Sequence, residues 1–328
     1  MGSTSRDLFG AAPAPAPATP GSYGEAPRGY RLPETTRLGP VRLQVADLTR
    51  ALAFYEGVLG LRVVTQGDGH VALAAQPATS GDPASGARVL VELVERPGAR
   101  PAGRRAPGGP RLGLFHVAIL LPDRASLGSF VRHLGALGVA AGAGDHVVSE
   151  AFYLTDPDGL GIEIYADRPR DTWRRVGREL MLATDPVDVP ALVRAGADMP
   201  WTGAPAGTTI GHVHLHVGDL AAGAAFYADG LGFDCITWSY PGALFLGAGG
   251  YHHHLGTNTW AGPAALPSGD ADARLLEWTI ELPEQTDVDA VTASLAAAGH
   301  AAERAADGSA LARDPWGTAV RLRTARDA

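Results

Sequence analysis

The segment Gly211-His212-Val213-His214-Leu215-His216-Val217-Gly218-Asp219-Leu220 is half of a repeat. It lies on Gly39-Pro40-Val41-Arg42-Leu43-Gln44-Val45-Ala46-Asp47-Leu48, and the register then holds without a gap. Phe226-Tyr227 falls on Phe54-Tyr55 and Leu231-Gly232 on Leu59-Gly60. Self-similarity at this spacing fixes the architecture before any local reading: one domain occurs twice. The second copy carries histidines at positions where the first has none.

Each copy divides again, giving four units of one strand, one helix and further strands. In unit one, Val41-Arg42-Leu43-Gln44-Val45 alternates apolar and polar as a half-buried strand does. Asp47 is placed to cap a helix over Leu48–Leu59, and Gly60 to end it. Arg88–Val94 closes the unit as a strand. Unit two opens at Leu114–Leu121, has a helix over Arg124–Leu137, and ends in Asp156-Pro157-Asp158-Gly159 running into Gly161–Tyr165. Unit three runs from His212 to His252-His253-His254-Leu255. Unit four opens at Leu275–Leu282 and has a helix near Val288–Ala298. Its Asp314-Pro315-Trp316-Gly317 turn copies the one in unit two.

Apolar content of 45% and charged content of 19% are those of a packed globular chain. A net charge of −8 gives no electrostatic ground for nucleic acid or an anionic membrane as partner. Cys235 is the one cysteine, which excludes an internal disulfide and fits a reducing, cytoplasmic setting. No apolar run is long enough to span a bilayer. Residues 1–37 contain an Ala-Pro alternation and read as a disordered tail. The domains expected are 38–168 and 209–325, joined by a linker over 169–208 with a helix near Arg175–Met181.

Four βαβββ units, an α+β fold, resemble the vicinal oxygen chelate superfamily, which includes glyoxalase I, bleomycin-resistance proteins and extradiol dioxygenases. The match rests on Val-x-Asp-Leu, Phe-Tyr and Leu-Gly in both halves, and on Asp156–Gly159 leading into Ile162-Glu163-Ile164-Tyr165. Phe115–Pro122, Gly161–Pro169 and Gly249–Gly256 with Asn258 and Trp260 resemble the Bacillus-type catechol-2,3-dioxygenase subgroup. The resemblance implies that each tandem pair of units curls into a cup, with a divalent metal held by the first and last strands of its units.

On that scheme the second pair offers His212, His254 (or His253, one register away) and Glu277, while Arg321 occupies the fourth place and cannot ligate. Two imidazoles and one carboxylate suit Fe(II) in an oxygenase. The first pair offers a secondary set, Glu92, His116 and Glu163, with Pro40 at the missing corner. That harder set would suit Mn, Mg or Ni or be an inherited relic without metal, and a glyoxalase-type site would suit Zn or Ni. His253 or His214 is the candidate acid/base, since imidazole titrates near neutrality. Tyr240, Asn258 and Trp260, with Phe245 and Trp278, are candidates to line an aromatic-binding cavity. His146 and Glu150 are candidates to support the ligands.

Each assignment has a structural rival. His214 and His216 could simply line the cup or meet water, His252 could be a polar strand edge, and Glu277 could pair with Arg321. His116 and Glu163 could form a buried hydrogen bond instead of holding metal. The leading expectation is an Fe(II)-dependent extradiol dioxygenase acting on an aromatic diol and dioxygen, with room for a homo-oligomer. The alternatives are a glyoxalase-type lyase or isomerase and a metal-free binding protein of the same fold.

Overall fold

The computed structural model describes residues 2–10, 14–77, 88–103 and 109–325. The four units are present. Unit one is β1 (Arg37–Val45), α1 (Leu48–Tyr55), β2 (Arg62–Gly67), β3 (His70–Ala74) and β4 (Val89–Glu95). Unit two is β5 (Arg111–Leu120), α2 (Arg124–Leu137), β6 (Gly142–Asp145), β7 (Ser149–Thr155) and β8 (Gly161–Asp167). Unit three is β9 (Thr209–His216), α3 (Leu220–Ala224), β10 (Asp234–Thr237), β11 (Ala243–Gly247) and β12 (Leu255–Asn258). Unit four is β13 (Arg274–Leu282), α4 (Gln285–Ala297), β14 (Ala302–Arg304), β15 (Ala310–Arg313) and β16 (Ala319–Thr324). Asp47, Asp123 and Asp219 each cap their helix by accepting a backbone N–H.

The units do not pair as the sequence suggested. One sheet runs β10-β11-β12-β9-β5-β8-β7-β6, so units two and three share it. The other runs β14-β15-β16-β13-β1-β4-β3-β2 and joins units four and one. The seams are antiparallel pairs of first strands: β9 on β5, with His214 opposite His116, and β13 on β1. Each cup therefore takes one unit from each half of the chain, which corrects the expected tandem cups. The tandem relation survives elsewhere. The Tyr55 hydroxyl donates to Asp156 at 3.2 Å, and Tyr227 donates to Asp314 at 2.8 Å. The repeated Phe-Tyr and Asp-Pro-x-Gly motifs thus tie unit one to two, and three to four, across the packed sheets.

Burial raises the Asp156 carboxyl from its usual range to about 6. A raised folded value favours the protonated form, so its contribution is fully present at low pH and lost as pH rises through 6. The loss is about 3 kcal/mol between pH 4 and 8. Asp156→Asn keeps an acceptor for the Asp158 and Leu160 amides that now donate to Oδ1. Urea unfolding should show it more stable than the parent by about 1–3 kcal/mol at pH 8 and equal near pH 4. Equal stability at both pH values would mean the buried carboxylate costs nothing.

Two further expectations change. Residues 2–10 and 14–37 are ordered against the body of the protein rather than forming a tail. Ser5–Phe9 is a helix whose Ser5 backbone N–H and hydroxyl both donate to Asp185. Ala16–Pro17 pairs with Arg174–Val176. The helix expected near Arg175–Met181 is a hairpin, Arg174–Val176 against Glu179–Leu180, because Gly177 takes φ 60° in the turn. Among the described residues no helix is long and apolar enough to cross a membrane.

Candidate active site

The shared sheet of units two and three brings His116 on β5, Glu163 on β8 and His212 on β9 to one point. One ligand atom from each lies within 4.8 Å of the others, and all three residues are buried. Glu163 Oε2 is 2.9 Å from His116 Nε2 and 3.2 Å from His212 Nε2. His116 Nε2 is buried and has no hydrogen-bond partner among the described residues, although Glu163 Oε2 lies 2.9 Å away. An orphaned imidazole nitrogen beside a carboxylate and a second imidazole is the donor set a divalent transition metal takes. Burial would raise the Glu163 carboxyl, but the His212 and His116 rings hold it well below the usual range. Burial pushes His212 down to about 4. At neutral pH both therefore present lone pairs.

Register explains the fourth corner. On β5 and β8, Val117 pairs with Ile162, whose successor is Glu163. On β9 and β12, Val213 pairs with Leu255, whose successor is Gly256. Gly256 thus stands where symmetry with Glu163 would put a ligand, and a Cβ there would lie 2.8 Å from the His214 ring. That corner holds no side chain. His254, two residues earlier, precedes the strand, and its Nδ1 accepts the Ala248 amide at 3.2 Å. Its ring packs near Phe233 and Tyr251, outside the three-ligand group.

Glu277 is in the other sheet, where both carboxylate oxygens accept from Arg321 at 2.6 and 2.7 Å. Glu92 likewise pairs with Arg42 at 3.0 Å and lies near His70. The set His212, His254 and Glu277 is therefore not assembled, nor is Glu92 with His116 and Glu163. What assembles is part of each: His116 and Glu163 with His212. Pro40, Glu92, Glu277 and Arg321 occupy the matching positions of the second cup, where an ion pair stands in the metal's place.

These three candidate ligands line a cavity of about 270 Å³. Phe115, Tyr153, Tyr240, Phe245 and Trp260 make its aromatic walls, and His214 and His253 also face it. Gly2 closes part of the rim, where the Ser3 amide donates to the Tyr240 hydroxyl at 3.0 Å. His214 Nε2 is buried without a partner among the described residues, and burial with the nearby His116 and His212 rings keeps it neutral. The His253 ring centroid is 4.1 Å from that of His212, and burial holds this imidazole neutral too. Asn258 is fully buried behind the wall, accepting from His216 Nδ1 and the Trp260 amide, so it orients rather than lines. Trp278 belongs to the core of the other sheet. His146 joins the site through Tyr153, whose hydroxyl it contacts, while Glu150 is taken by Arg124 and Arg168.

Sequence reasoning passed over Tyr153, Phe115, Asp167 and the N-terminal segment. The unusable Pro40 and Arg321 at two corners were a signal that the tandem cups were incomplete.

Comparison with known proteins agrees with this architecture. The family model of the Glyoxalase/Bleomycin resistance protein/Dioxygenase superfamily matches residues 37–164 and 209–322. The chain belongs to that superfamily. It is 44% identical over 286 residues to the catechol-2,3-dioxygenase of Bacillus subtilis, covering 86% of this chain and 95% of that one. A crystal structure of a putative dioxygenase from Bacillus subtilis superposes with TM-score 0.59 at 12% identity, over 90% of this chain and 87% of the other. A mutant of glyoxalase I from Zea mays gives TM-score 0.50 at 16% identity, over 88% of this chain and 93% of the other. These two likenesses concern the fold.

Proposed function

We propose that this protein is an Fe(II)-dependent extradiol dioxygenase that opens the ring of a catechol-type diol. The observation that carries the reading is the meeting of His116, Glu163 and His212 at the floor of an aromatic cavity. The 44% identity to a catechol-2,3-dioxygenase supports it. Both imidazoles and the one carboxylate would hold the iron, leaving a face of the site to substrate. When bound, the ion supplies Lewis acidity toward the diol oxygens and the redox chemistry that dioxygen requires.

The chain's own residues do the rest. Phe115, Phe245 and Trp260 offer ring faces and edges that fit a flat aromatic substrate. The cavity is at the small end for ligand pockets, which favours a single ring. Gly256 keeps the corner opposite Glu163 free of side chain. His253, a neutral imidazole beside His212, is placed to accept a diol proton. His214 presents a second unprotonated ring to the same space.

The test is oxygen consumption. Protein purified without oxygen and loaded with Fe(II) should take up one dioxygen per catechol and yield a ring-opened product. A stoichiometric Mn, Ni or Zn with no oxygen uptake would favour a glyoxalase-type lyase or isomerase. Tight ligand binding with no metal would favour a binding protein.

A further inference from the structure

Behind His253 lies a hydrogen-bonded chain that the reaction above does not use. His253 Nδ1 is 2.7 Å from His252 Nδ1, and His252 Nε2 is 2.8 Å from Asp167 Oδ1. Asp167 ends β8, four residues beyond Glu163. The same oxygen accepts the Tyr251 hydroxyl at 3.3 Å, and Tyr251 is bonded to Tyr165 at 2.7 Å. His252 has no exposed surface and packs against Tyr251 and Trp173, so its ring cannot turn to find another partner.

We propose that Asp167, acting through His252, fixes which nitrogen of His253 carries the proton, so that Nε2 meets the cavity as a bare lone pair. The polarity follows step by step. A carboxylate offers only lone pairs, so His252 Nε2 must carry a hydrogen and donate it. With one proton on that ring, His252 Nδ1 is then an acceptor. His253 Nδ1 must donate to it, and the proton of neutral His253 is thereby assigned. Nε2, the other ring nitrogen of a residue that lines the cavity, is left as the acceptor. Asp167 touches no substrate; it is a positioning residue. The inference rests on the proposed function for its catalytic meaning, but the tautomer itself does not.

The test uses the full chain labelled with ¹⁵N at histidine. Long-range nitrogen–proton spectra of the metal-free protein should show His253 with a protonated Nδ1 and a bare Nε2. Asp167→Ala removes the acceptor and should populate both tautomers of His253. Asp167→Asn retains a carbonyl oxygen that can accept from both His252 and Tyr251, and should restore the single tautomer. In the iron-loaded enzyme, Asp167→Ala should lower kcat about ten- to a hundredfold. KM should change little because Asp167 touches no substrate, and Asn should recover most of the loss in kcat. A parent protein with the proton on His253 Nε2 overturns the proposal. So does a doubly protonated His252, or an Ala variant with an unchanged tautomer. Tautomers as stated with no oxygen uptake from any catechol would sink the dioxygenase reading and leave this inference standing.

Discussion

His212→Ala is expected to strip the protein of iron and reduce oxygen uptake with catechols to background, while His254→Ala leaves both intact. The contrast follows from position. His212 Nε2 shares Glu163 Oε2 with His116, whereas His254 Nδ1 is committed to the Ala248 amide. Losing even a supporting partner of a metal ligand costs about ten- to a hundredfold in affinity. Loss of a ligand itself should exceed the upper end of that range. His254→Ala orphans a buried amide and should cost about 1–3 kcal/mol of stability, read in urea, without changing metal content. Iron retained by His212→Ala and lost by His254→Ala would reverse the assignment of the site.

The second large effect is expected at Glu277, and in stability alone. Glu277→Ala leaves the Arg321 guanidinium without its carboxylate partner, keeping only the bond from Nη1 to the Ser309 hydroxyl among the described residues. Breaking a buried ion pair from one side typically costs about 3–5 kcal/mol. Arg321 retains 26% side-chain exposure, so water recovers part of that penalty and about 2–3 kcal/mol is expected. Iron content and kcat should match the parent. The measurements are the urea midpoint and metal content side by side. A variant with normal stability and no iron would place the metal in the other cup.

The repeat made the units legible because strand alternation, Asp caps and Asp-Pro-x-Gly turns are local. Which units share a sheet is decided by non-local packing, in this case the pairing of β5 with β9 and of β1 with β13. Nothing within a single unit encodes that choice. The consequence for the site was specific. His212, His116 and Glu163 were all named, but in two sets, because tandem cups would separate them. His254 was expected on the last strand of unit three, but that strand begins at Leu255 and the register puts Gly256 opposite Glu163. Glycine leaves no side chain to notice. The ordering of residues 2–10 was likewise invisible, since it depends on Asp185 and Tyr240, far along the chain.

Because His116 and Glu163 come from one copy of the duplicated sequence and His212 from the other, neither copy alone holds the candidate metal site. The segment joining them is accordingly no spacer between a working half and an idle one. A substitution in either copy would bear on that site, while the cup of units one and four is closed by the Arg321–Glu277 ion pair.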